Sequence, residues 1–230
     1  MPALAERLAE VRERIALAAE RSGRSRDSVT LVAVGKTQPA DVVAEAVRAG
    51  ATDLGENRVQ EAAVKRPGVP PAVWHLIGPL QRNKARLALE TFDVFQTIDR
   101  PRLVERLQLL LEEHWPGRTV PVFLEVNIAS EPQKAGVLPG EALELAREVV
   151  ATPVLDLQGL MCIPPADAEA EASRPHFRRL AELRRELEQR LGRPLPALSM
   201  GMSHDFEVAV EEGATHVRVG TAIFGPRRPR

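Results

Sequence analysis

Leu31-Val32-Ala33-Val34-Gly35-Lys36-Thr37-Gln38-Pro39-Ala40-Asp41-Val42-Val43-Ala44-Glu45-Ala46-Val47-Arg48-Ala49 carries the plan of the whole chain. An apolar, β-branched run stops at a glycine, and a proline then opens a stretch with helical period. That unit recurs. Apolar runs at 31–34, 52–54, 73–77, 94–98, 120–128, 155–163, 197–200 and 216–220 predict eight strands. Helical patterns at 39–49, 57–65, 81–90, 101–113, 139–150, 175–191 and 205–212 fall between them, most with a Pro or polar start. Strict alternation predicts a parallel sheet, because each helix is the crossover that returns the chain to the same edge. Eight such units in 230 residues fit a single (β/α)8 TIM barrel of α/β class, with a doubly wound open sheet as the alternative. No linker or composition break divides the chain, so residues 1–230 read as one domain and 226–230 as a frayed tail. Ahead of the first strand, Leu4, Leu8, Val11 and Ile15 share one helical face and predict an extra N-terminal helix packed on the barrel.

Composition narrows the function classes. The chain is 44% hydrophobic and 27% charged, with 31 basic against 32 acidic side chains and a formal net charge of -1. That balance gives no global field for nucleic acid. No apolar run is long enough to cross a membrane, and charges interrupt the N-terminus where a signal peptide needs an apolar stretch, so a cytoplasmic protein is expected, and a monomer because no apolar stripe is left unexplained. Cys162 is the single cysteine, which excludes an internal disulfide and a cysteine zinc cage. The histidines at 75, 114, 176, 204 and 216 show no paired ligand spacing, so no metal is expected. The sequence has no tyrosine, which removes one type of catalytic acid and base.

Of the lysines at 36, 65, 84 and 134, only Lys36 finishes a strand, in phase with Val32 and Val34. Barrel active sites form at the C-terminal strand ends, and a partly desolvated lysine there is nucleophilic toward a carbonyl. Gly35-Lys36-Thr37 is not the end of a phosphate-binding P-loop: Thr30 stands where that motif needs glycine. At the other end of the chain, Ser199-Met200-Gly201-Met202-Ser203 follows the seventh strand and Arg218-Val219-Gly220-Thr221 closes the eighth. Those two loops form the common phosphate site of such barrels, with Gly220 allowing close backbone approach and Ser199 and Thr221 offering hydroxyls. If Val217 and Val219 face the helices, Arg218 faces inward and needs an acceptor, either a carboxylate or a ligand's ring nitrogen.

Ala33-Val34-Gly35-Lys36-Thr37, Leu54-Gly55-Glu56-Asn57-Arg58-Val59-Gln60-Glu61, Trp74-His75-Leu76-Ile77-Gly78-Pro79-Leu80-Gln81, Ser199-Met200-Gly201-Met202-Ser203 and Val217-Arg218-Val219-Gly220-Thr221-Ala222-Ile223-Phe224-Gly225 lie in order along the chain. Together with Asn83-Lys84, Thr97-Ile98-Asp99-Arg100 and Gly159-Leu160-Met161, they resemble the pyridoxal phosphate homeostasis family. Its members are similar to the N-terminal barrel of alanine racemase. The resemblance implies pyridoxal 5'-phosphate held as an aldimine on Lys36, with its phosphate at Ser199, Ser203, Gly220 and Thr221. It also implies that Asn57 and His75 line the ring and that Arg218 meets the pyridine nitrogen. Gly35 stands where the family commonly has serine, and His204 where an acidic or small residue is usual.

A carrier follows as the functional expectation: a protein that holds the cofactor on Lys36 and buffers it or delivers it to apo forms of pyridoxal phosphate enzymes, without robust catalysis. An arginine at the ring nitrogen donates and keeps that nitrogen unprotonated, which weakens the electron sink. Racemases of the fold draw a second-face tyrosine from another domain, and this sequence has none. The alternative is an amino-acid racemase or decarboxylase with Cys162 or His75 as the second acid or base. A second alternative is a Schiff-base aldolase on the same barrel.

Overall fold

The computed structural model describes residues 3–165 and 169–226. The predicted tail end at 227–230 lies outside the described residues. Strands β1 (Thr30–Val34), β2 (Asp53–Glu56), β3 (Val73–Leu76), β4 (Val94–Ile98), β5 (Val120–Val126), β6 (Leu155–Cys162), β7 (Ala197–Ser199) and β8 (His216–Val219) form a closed barrel in chain order. Every pairing is parallel, and β8 returns to β1 with Arg218 opposite Val32. Closure leaves no edge strand and rules out the open sheet.

The helices between strands are α2 (Ala40–Arg48), α3 (Val59–Lys65), α4 (Ala85–Thr91), α5 (Pro101–His114), α6 (Ala142–Val150), α7 (Arg174–Leu191) and α8 (Phe206–Glu211). Helix α4 starts later than the periodicity predicts, after a 3-10 turn at Arg82–Lys84, and Pro139–Glu141 makes a similar turn before α6. Apolarity outruns the strands at β5 and β6, because Ile128 joins the core beyond one end and Ile163 lines a cavity beyond the other.

Alternation along each strand separates two cores. Leu54, Phe95, Val122, Leu124, Leu160, Leu198, Val217 and Val219 pack outward against the helices. Inside the barrel, Phe123, Met161 and Ala197 form a small apolar plug with Val94. Gly159 permits the tight β6–β7 approach, since a Cβ there would stand 1.8 Å from the Ala197 carbonyl oxygen.

Beyond β8, helix α9 (Thr221–Phe224) is only one turn long, and helix α1 (Leu4–Arg21) completes the outer ring beside it, against α8 and α2. The predicted stripe Leu4, Leu8, Val11 and Ile15 is buried in that seam. Arg7 Nε donates to the Ile223 carbonyl at 2.6 Å, and Arg14 pairs with Glu207 at 2.9 Å while lying over the Phe206 ring. Each buried apolar side chain of α1 stabilises the fold by roughly 1.5–3 kcal/mol. Leu8, at 1% exposure, sits in the middle of the stripe. Leu8→Ala is expected to cost about 2–5 kcal/mol in denaturant unfolding. An unchanged midpoint would show that α1 is not integral to the ring.

Candidate functional site

A cavity of about 290 Å³ opens at the C-terminal ends of the strands, just below the roughly 300–1,000 Å³ range of small-molecule sites. Lys36, Asn57, Ser203, Arg218, Gly220 and Thr221 line it together. Gln38, Ile77, Ile163, His204 and Phe224 are among the other lining residues, and none of these was singled out from the sequence as a binding residue. Lys36 follows β1 as its phase predicts and is half-buried. Asn57 follows β2, and its Oδ1 is buried without a hydrogen-bond partner. Gly78 lets Asn57 sit there, because a Cβ at position 78 would approach the Asn57 carbonyl oxygen to 2.4 Å.

The loop after β7 is shaped by Gly201, whose φ of +91° suits glycine, and by Phe206 and Ala209, which a Cβ would strike at 2.9 and 2.6 Å. Buried Asp205 fixes the turn, accepting from the Met202 amide at 2.7 Å and from the Ser173 hydroxyl at 2.9 Å. The result delivers Ser203 to the loop after β8. There the amides of Gly220 and Ala222 both donate to Ser203 Oγ, at 3.2 and 3.4 Å. The two amides thus form a small nest of donors around Thr221, filled in this structure by Ser203 Oγ.

Arg218 points into the barrel, as strand phase predicts, and is 4% exposed. Its acceptors are neutral: Nη1 donates to Ser199 Oγ at 2.6 Å and Nη2 to the Cys162 carbonyl at 2.8 Å. Burial lowers its pKa, opposed by the nearby acidic groups of Cys162, Glu125 and Asp205. A guanidinium carries five N–H donors, so others remain for the cavity it lines.

Below Arg218 the bonds continue through the barrel core. Ser199 Oγ donates to Gln96 Oε1 at 2.6 Å, Gln96 Nε2 meets His75 Nδ1 at 3.0 Å, and His75 Nε2 meets Asp53 Oδ1 at 2.9 Å. With Gln96 donating to Nδ1, the network assigns the imidazole proton to Nε2. Burial pushes Asp53 up, but hydrogen bonds from His75 and Thr52 outweigh it and hold the carboxyl below its usual value.

Two of the residues expected at the cofactor lie away from the cavity wall. Ser199 is fully buried with its hydroxyl engaged on both sides, and His75 is 2% exposed with both ring nitrogens engaged. Neither lines the cavity; both lie beneath Arg218 and support it. Sequence reasoning missed Gln96 and Asp53, although a glutamine inside the apolar run 94–98 was an available signal. Cys162 is no better placed as an acid or base: its side chain packs in the outer core, and burial pushes the thiol up to about 12.

Glu125, near the end of β5, has a buried Oε2 without a partner. Burial, then Asp99, pushes its carboxyl up to about 7, with Arg218 and Arg100 opposing. The folded chain thus keeps this proton where an unfolded glutamate has lost it. The contribution is fully present below the ordinary glutamate pKa and is lost as pH rises from there through about 7. Glu125→Gln is expected to flatten unfolding free energy against pH between 5 and 7 by up to about 1.4 kcal/mol per pH unit. Parallel wild-type and variant profiles would contradict this.

Residues 7–228 match the family described as "Alanine racemase, N-terminal domain". The chain is 43% identical over 231 residues to the pyridoxal phosphate homeostasis protein of Escherichia coli K12, covering 97% of each. It is 45% identical to the protein of that name from Pseudomonas aeruginosa, covering 99% of this chain and 97% of the relative. The chain belongs to the pyridoxal phosphate homeostasis protein family. Among solved structures, PipY of Synechococcus elongatus with pyridoxal phosphate bound superposes with a TM-score of 0.84 at 36% identity, covering 97% of this chain and 100% of that one. An alanine racemase from Clostridium difficile, at 14% identity and TM-score 0.72, shares the fold. The chain spans 57% of that racemase, so the family barrel corresponds to only part of it. Among the described residues, no helix is long and apolar enough to cross a membrane.

Proposed function

We propose that this protein binds pyridoxal 5'-phosphate covalently through Lys36 and buffers or delivers it inside the cell, without robust turnover of its own. The convergence of Lys36, Arg218, Ser203, Gly220 and Thr221 on one cavity carries this reading. The residues present fit the cofactor: an amine for its aldehyde, a buried donor for its ring nitrogen, and an amide nest for its phosphate. The unpartnered Asn57 Oδ1 adds an acceptor for a donor on the ring side. When bound, the cofactor supplies an aldehyde for capture and an electron-withdrawing ring.

The chain's own groups favour holding over transforming. Arg218 keeps its proton near neutrality and can only donate toward the ring nitrogen. Lys36 can serve one face of a substrate carbon, while Cys162 and His75 are committed elsewhere. Delivery to apo forms of pyridoxal phosphate enzymes belongs to the same proposal.

Purified protein is expected to turn yellow with pyridoxal phosphate, and borohydride to fix a pyridoxyl group on Lys36 in peptide mass mapping. A chain that stays colourless leaves the aldolase. Repeated racemisation of D- or L-alanine by catalytic amounts of protein, well above the rate with free cofactor, overturns the carrier reading.

A further inference from the structure

Behind Lys36 lies a buried charge cluster, none of whose members belongs to the hydrogen-bonded chain below Arg218. Lys65, the last residue of α3, is 7% exposed and reaches three acceptors. Its Nζ lies 2.9 Å from the Gly35 carbonyl oxygen, 2.7 Å from Glu56 Oε1 and 2.7 Å from Glu61 Oε1. An ammonium has three donors, so all are used. Glu61 Oε1 also accepts from the Thr37 amide, at 2.7 Å. Thr37 has a φ of 67°, a left-handed conformation that costs a non-glycine residue about 1–2 kcal/mol and that this bond helps to hold.

The two bonds bracket Lys36. The Gly35 carbonyl belongs to the peptide group before its Cα and the Thr37 amide to the one after, and Lys65 joins both anchors through Glu61. Gly35 takes part as well: a Cβ there would stand 2.9 Å from Val43 Cγ2 and 3.3 Å from Glu56 Oε1, so a serine at this position would crowd the cluster.

From this bracket we infer that Lys65 is a positioning residue, which with Glu61 and Glu56 fixes the backbone of Lys36 so that its amine meets the incoming aldehyde. Lys65 is not itself the covalent attachment point, since its donors face acceptors on the helix side of the turn. The inference rests on the proposed capture at Lys36. Capture joins the Lys36 nitrogen to the aldehyde carbon, and the aldehyde oxygen leaves as water with the two amine protons.

Lys65→Met tests it. Burial pushes the Glu56 carboxyl up to about 7 against the opposing pull of Lys65, so loss of the cation moves it further up and favours its neutral form beside Glu61. Glu61→Ala, at a partly exposed position, is the second variant in case the first does not fold. Two measurements separate positioning from general damage: the stopped-flow rate of pyridoxal phosphate capture, and the Kd for pyridoxine 5'-phosphate, whose alcohol cannot form the covalent link. Both variants are expected to slow capture about 10- to 100-fold while leaving the pyridoxine phosphate Kd within about twofold. Equal losses in both measurements, unchanged capture, or a borohydride-fixed pyridoxyl group on Lys65 of the wild type would overturn the inference. Wild-type protein that captures no pyridoxal phosphate would instead sink the reading on which it rests.

Discussion

Lys36→Ala is expected to abolish covalent capture of pyridoxal 5'-phosphate altogether. No other lysine lines the cavity among the described residues. Lys65 is held by its three acceptors, and Lys134 pairs with Glu131 and donates to the Pro164 carbonyl. The amide nest and Arg218 survive the substitution, so pyridoxine 5'-phosphate should still bind with an affinity near that of wild type. The check is the yellow absorbance band, followed by borohydride reduction and peptide mapping. A band that persists, with the pyridoxyl group on Lys84 or Lys134, would move the attachment point and defeat the assignment.

Arg218→Met is expected to damage binding and folding together. Charge-assisted hydrogen bonds contribute about 1.5–3 kcal/mol, so losing the donor to the ring should weaken pyridoxine phosphate binding about 10- to 150-fold. The substitution also takes a donor away from the buried Cys162 carbonyl and from the Ser199 hydroxyl, which keeps its bond to Gln96, at about 1–3 kcal/mol for a group left unsatisfied. Glu125 loses the nearby cation that opposes its upward shift, so its carboxyl should move above about 7. Arg218→Lys restores a charge without the two-pronged geometry and is expected to recover stability more than affinity. Calorimetric titration and denaturant unfolding on the same samples check both parts. Wild-type affinity in Arg218→Met would remove Arg218 from the site.

The barrel was legible because its signal is repeated: an apolar run and a helical period alternate until the chain closes on itself. Lys36 and Arg218 were legible from strand phase, which sends every second residue to the same side. The loops after β7 and β8 were legible from their place in the barrel order. What period cannot convey is depth along the barrel axis. Ser199 and Arg218 both face inward, yet only one reaches the cavity, since the stagger of a closed sheet sets each residue's height. Partners such as Gln96 and Asp53 were hidden for a related reason: they come from strands far apart in sequence, and the hydrogen bond joining Gln96 to Ser199 spans 103 positions. The clamp around Lys36 was hidden because Lys65 reads as an ordinary charged helix end, and only folding shows it buried against Gly35.

The string of side chains from Arg218 to Asp53 also has a polarity. Each bond passes its proton in the same direction, from a guanidinium near the mouth to a carboxylate at the opposite end of the barrel. Reversing it would require the serine hydroxyl, the glutamine amide and the imidazole to turn over in concert. The three neutral groups therefore turn their negative ends to the Arg218 guanidinium and their positive ends to the Asp53 carboxylate, an alignment frozen in by packing that favours a cation at the mouth and an anion at the far end. A chain whose formal charge is only -1 thereby holds a fixed positive charge at the cavity, that of Arg218, with its balancing carboxylate at the other end of the barrel.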